Sequence, residues 1–133
     1  MNDIGVWQPD ENHITVDAVL VERLLGAAAC LDRPDFGLTP AEVGRFAALM
    51  RLSANDWTAA VADATDEQLV ALVKFFTLAE MRLPNWEALA RSPAIPLVAV
   101  LKRRGRYPRE LTAWIKANTT NRFLPYGSLL DRL

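Results

Sequence analysis

Thr39-Pro40-Ala41-Glu42 and Thr65-Asp66-Glu67-Gln68 each spell out a helix start. In a capping box the threonine hydroxyl accepts from the backbone N–H three residues on, and the Glu or Gln side chain reaches back to the threonine N–H. Two donors stranded at a helix end are then satisfied together. Pro40 suits a first helical position, where no N–H is needed, and Leu38 and Val43 stand where a hydrophobic staple would close the chain onto the helix. Behind the first box Val43, Phe46, Ala47 and Met50 recur at three- and four-residue spacing, while Glu42, Arg45 and Arg51 keep off that stripe. Behind the second, the chain is apolar around most of a helix from about Asp66 to Leu83, which Pro84 ends. A helix that broad in apolar surface is expected at the centre of a domain, between others.

The remaining segments read in the same way. Thr15 is placed as the cap of a helix reaching to about Leu31, with Ile14 and Val19 as its staple, before the turn Asp32-Arg33-Pro34-Asp35. Asn55-Asp56 precedes a short helix with Trp57, Ala60, Val61 and Ala64 on one face. Residues 84–89 read as a helical turn or short helix and 96–104 as a helix ended by Gly105. Residues 108–118 read as another helix, with Leu111, Trp114 and Ile115 to one side, and 128–133 as a last turn. Alternating strand patterns do not survive the prolines and the helical spacing. The expected fold is all-α: a single compact domain over 1–133, of about six helices in orthogonal or bundle-like packing. Residues 1–12 are expected to be an irregular arm carrying Trp7, and 123–133 an apolar tail.

Composition narrows the function classes. The chain has 133 residues, 51% apolar and 23% charged, which is a globular balance rather than a disordered one. One cysteine (Cys30) and one histidine (His13) leave no intrachain disulfide and no cysteine-rich zinc site, so no metal or cofactor is expected. The N-terminus lacks the basic and apolar regions of a secretory signal. The apolar run 94–101 is far short of the roughly 20 residues of a membrane span. A cytoplasmic protein with no membrane association is the expectation.

Three features could carry function. Glu80 falls within the apolar face of the long helix, beside Phe76 and Leu83. There an ionised carboxylate must find a partner or edge a cavity. It is either a pocket carboxylate, able to bind a cation or act as a base, or a structural group paired with Arg45, Arg51 or Arg91 or escaping at the helix edge. Charge asymmetry is the second feature: residues 1–100 hold seven basic and fourteen acidic side chains, residues 101–133 eight basic and two acidic. Residues 96–122 have helix-turn-helix proportions, with Arg103, Arg104, Arg106, Arg109, Lys116 and Arg122 as candidates for phosphates or an acidic partner. The same cations could instead close a helix C-terminus and neutralise the acidic first half. The third feature is the tail, with Phe123, Leu124, Tyr126, Leu129 and Leu130 as apolar contact candidates, folded onto the core or offered to another subunit.

The leading expectation is a non-enzymatic helical module that binds a protein partner or itself, a homodimer being the simplest form. The alternative is a nucleic-acid-binding regulator using the basic segment, and a third reading is a small-ligand pocket around Glu80.

Overall fold

Capping and apolar periodicity set most of the architecture. The computed structural model describes residues 14–121, 123 and 124. Among them lie six α-helices and no strand: α1 (Ala18–Ala28), α2 (Pro40–Phe46), α3 (Ala54–Ala60), α4 (Asp66–Arg82), α5 (Ala94–Arg103) and α6 (Leu111–Asn118). Short 3-10 helices occupy Ala47–Arg51 and Leu89–Arg91. The arm 1–12, most of the tail and the turn expected over 128–133 lie outside the described residues.

Both capping boxes form. Thr39 Oγ1 accepts from Glu42 N at 3.1 Å and Glu42 Oε1 from Thr39 N at 2.9 Å, and Thr65 and Gln68 repeat the arrangement at the same distances. A third box, Ser53 with Asp56, opens α3 where Asn55-Asp56 was expected to cap. The first helix starts later and stops earlier than its apolar run suggests. Asp17, not Thr15, accepts from Leu20 N at 2.9 Å, and Val19 is 76% exposed instead of forming a staple. The stripe after Thr39 tightens into a 3-10 helix at Ala47. Residues 84–89 are a turn followed by irregular chain that enters the second 3-10 helix at Leu89; Asn85 takes a left-handed conformation (φ 68°) that breaks helical continuity. α5 begins at Ala94, two residues before Pro96, and α6 at Leu111, three after Pro108.

α4 is the axis of the molecule. Leu69, Leu72, Val73, Phe75, Phe76, Thr77, Leu78 and Ala79 are all buried along it, and α1, α5 and α6 pack against it. Phe75 and Phe76 anchor an aromatic cluster with edge contacts to Phe36 (5.1 Å) and Trp57 (5.2 Å) and, farther out, to Trp86 (5.9 Å from Phe75). Trp86 is fixed in turn by its indole N–H, which donates to Val43 O at 2.9 Å. α5 and α6 both lean on α4 and meet each other at most marginally, so the 96–118 segment is not a closely packed helical pair.

Arginines hold the short elements to this axis through carbonyls at the C-terminal ends of helices and turns. Arg82 donates to Leu31 O at 2.8 Å beyond α1 and lies over the Phe36 ring. Arg91 donates to Arg51 O at 2.6 Å, at the end of the first 3-10 helix. Arg104 reaches Ala64 O at 2.8 Å, Ala62 O at 3.3 Å and Asp66 Oδ1 at 3.1 Å, spanning the end of α3 and the start of α4. Carbonyls left over at a helix end carry the negative pole of its dipole, so a guanidinium satisfies them both as donor and as cation.

Replacing Arg104 with alanine strands several of these acceptors and should cost about 1–3 kcal/mol in urea unfolding. Arg103→Ala, one residue away on an exposed face, should change stability by no more than about 0.5 kcal/mol.

Candidate functional site

Glu80 lies near the end of α4, where its helical position turns it inward. Its partner is not an arginine. Ser92 Oγ donates to Glu80 Oε2, and the same hydroxyl accepts from Ala94 N at 3.2 Å, at the start of α5. Arg91 is held by the Arg51 carbonyl and Arg45 stacks on Phe46, 4.9 Å from the ring centroid. The other carboxylate oxygen, Oε1, is buried without a hydrogen bond. The Asn121 amide and the Ala88 N–H act on the carboxylate from nearby without completing a bond to Oε1. Desolvation is the largest influence and outweighs these contacts, raising the Glu80 pKa to about 7.

Asn121 belongs to a strap that leaves α6 and crosses this end of α4. Its Nδ2 donates to Leu89 O at 3.0 Å, its Oδ1 accepts from Phe123 N at 2.9 Å, and its N–H donates to Thr119 Oγ1 at 3.0 Å. Thr120 Oγ1 lies 3.7 Å from Met81 Sδ. The sequence places Asn121 on a polar surface with Thr119 and Thr120, but it is 93% buried, its amide consumed in ordering Leu89 and the strap. Leu89 itself is held at φ 52°, a left-handed conformation that is uncommon for leucine.

Around the strap three large apolar side chains face outward: Phe123 is 58%, Leu89 49% and Met81 48% exposed. Leu124, next along, is buried in the core. The tail thus divides at its first two residues, one facing out and one in. Tyr126, Leu129 and Leu130 lie outside the described residues, as does Arg122.

The basic candidates do not act as one set. Arg104 is tied to the α3 end, and Arg106, 70% exposed, lies 3.6 Å from Asp66 Oδ2. Lys102 lies over the Tyr107 ring at 5.1 Å. Arg103, Arg109 and Lys116 are exposed. Leu111 and Ile115 face the core as expected, whereas Trp114 is half-buried with the Lys74 ammonium over its ring at 5.3 Å.

Sequence reasoning passed over Ser92 and Leu89 and put Asn121 on the surface, where the structure buries it. Ser92-Pro93 before an apolar run is a weak cap signal, and nothing local marks Asn121 as buried. Among the described residues no three His, Cys, Asp or Glu side chains are placed to hold a metal ion, and no helix is long and apolar enough to cross a membrane. Cys30 is a half-buried free thiol. No family model, curated protein or solved structure matches the chain.

Glu80 sets a pH dependence of definite sign. The native carboxyl holds its proton up to about pH 7, while an ordinary glutamate loses it near 4.5, so between those values the native state binds more protons. Stability should be highest below pH 4.5 as far as this group is concerned and should fall as pH rises through 7, by up to about 3 kcal/mol. Thermal melts of Glu80→Gln should lose that slope and exceed the wild type at pH 8; an unchanged slope would assign it elsewhere.

Proposed function

We propose that the chain is a small non-enzymatic protein-interaction module acting in the cytoplasm, and that its contact face is the strap 119–124 with the side chains beside it. The observation that carries this reading is the exposure of Phe123, Leu89 and Met81 together around one polar anchor, Asn121. Large apolar side chains gathered at one place on a surface are the usual mark of a contact with another chain. In the sequence the apolar strip continues from Phe123 through Tyr126, Leu129 and Leu130. Self-association is its simplest form, because a two-fold contact lets one patch serve both partners.

A catalytic reading of the Glu80–Ser92 pair has less support. Ser92 is 0% exposed, and neither of two surface grooves, one of about 850 Å³ and one of about 330 Å³, is lined by Glu80 or Ser92. Nucleic-acid binding remains the second reading. It rests on the exposed Arg103, Arg109 and Lys116, with Arg104 already engaged in the fold.

Light scattering after gel filtration separates these readings. A dimer should persist from low to high salt and ignore mixed-sequence nucleic acid, since an apolar contact responds little to ionic strength. Leu89→Gly, which relieves the left-handed strain while removing the side chain, combined with Phe123→Ser, should give a folded monomer. A monomeric wild type that shifts with nucleic acid only at low salt would overturn the proposal in favour of the basic segment.

A further inference from the structure

The larger groove lies on another part of the molecule and has a different character. α1 and α2 pack on the rest of the domain but meet each other at most marginally, which leaves a crevice of about 850 Å³ between them. One charge pair spans it: Arg23 donates to Glu42 Oε1 at 2.7 Å and Oε2 at 2.8 Å, and to Gly37 O at 3.1 Å. That pairing holds the Glu42 carboxyl down to about 2 and leaves both groups ionised and satisfied. Asp17, also on the groove, accepts from Leu20 N at the α1 cap.

With those charges compensated, two cations on the same lining are left over. Arg45 and Arg51 are exposed and pair with no carboxylate among the described residues. The Arg51 carbonyl is held by Arg91, which fixes the backbone of this rim. The rest of the wall mixes apolar side chains with Thr15 and Asn85. Val19, 76% exposed, stands on the α1 side, with the buried Leu20 and Phe46 deeper and Ala47 between.

An exposed apolar rim beside uncompensated guanidiniums suits neither a bare phosphate, which would leave the valine wet, nor a purely apolar ligand, which would bury the arginines unpaired. We propose that the α1–α2 groove is a docking site for an acidic amphipathic helical segment of a partner protein, its apolar face on Val19 and Ala47 and its carboxylates on Arg45 and Arg51. An apolar face laid in the crevice between two helices, flanked by charge pairs, is the helix-in-groove mode of recognition. This surface is separate from the strap, so either can fail without the other.

The test uses the full chain and two synthetic helical peptides. Both carry leucines at three- and four-residue spacing; one has glutamates and the other lysines on its flanks. The acidic peptide should bind and shift the amide resonances of Val19, Arg45, Ala47 and Arg51. Its affinity should drop roughly tenfold or more in Arg45→Glu/Arg51→Glu, and should weaken with added salt. Val19→Ser, a change on an exposed position, should weaken binding while leaving its salt dependence in place. Several results would overturn the proposal: no binding at about 1 mM, equal binding of the lysine peptide, shifts confined to Leu89 and Phe123, or displacement by mixed-sequence nucleic acid. Binding that emerges only after Asp3, Asp10 and Glu11 are changed to lysine would overturn it too, and would make the chain's own first residues the occupant.

Discussion

α4 is apolar on nearly every side, and the rest of the structure follows from that. A helix with one apolar stripe can settle on a neighbour and keep its other face in water. A helix buried around most of its circumference must be enclosed, and the elements that enclose it here are short, at 7 to 11 residues. Short helices are marginal alone, because the nucleus costs as much as in a long helix while few bonds follow it. They also end often, and each end strands carbonyls. Arg82 and Arg104 donate to carbonyls in the segments that follow α1 and α3, and Arg91 to the last carbonyl of the first 3-10 helix. Part of the basic charge late in the chain is therefore a consequence of enclosing α4 with small pieces.

Glu80 is the exception on the inner side of α4, and it connects the core to the surface. Its carboxyl is satisfied on one oxygen by Ser92, at the start of α5, and left bare on the other. The neighbouring Asn121 binds the Leu89 carbonyl and thereby the turn that exposes Leu89. One buried polar cluster thus fixes the end of α4, the beginning of α5 and the strap from α6. A buried polar group whose bonds are only partly made costs stability. Here the same cluster positions the outward-facing Leu89 and Phe123.

The two surfaces differ in the physics they offer. The strap face is apolar and sits on a chain segment tied down by side-chain hydrogen bonds. The α1–α2 groove is built on helices and carries two guanidiniums with no carboxylate partner among the described residues, so it offers charge as well as shape. A division already present in the sequence runs between the two surfaces, acidic residues dominating the first hundred positions and basic ones the remainder. The groove comes wholly from the first part, while the strap comes from the second and is flanked by Met81 and Leu89 of the first. Tertiary packing reverses the local sense of that division: the free cations of the groove come from the acidic half, and Arg104 of the basic half is absorbed into the core's edge.

The sequence by itself determined where the six α-helices lie, though not their ends, and it over-read 84–89 as helical. Capping boxes, helix-stopping prolines and three- to four-residue periodicity act within a few residues of one another, so they are written locally. It also marked α4 as central and Glu80 as the residue in conflict with its surroundings. Only the tertiary structure decided the partner of that conflict, because Ser92 and Asn121 approach from 12 and 41 positions away and carry no local sign of burial. It likewise chose Asp17 over Thr15 as the first cap, turned Val19 outward, and sorted the arginines into clamps and free cations. Those outcomes depend on which carbonyls and which helices happen to face each side chain once the chain has closed around α4.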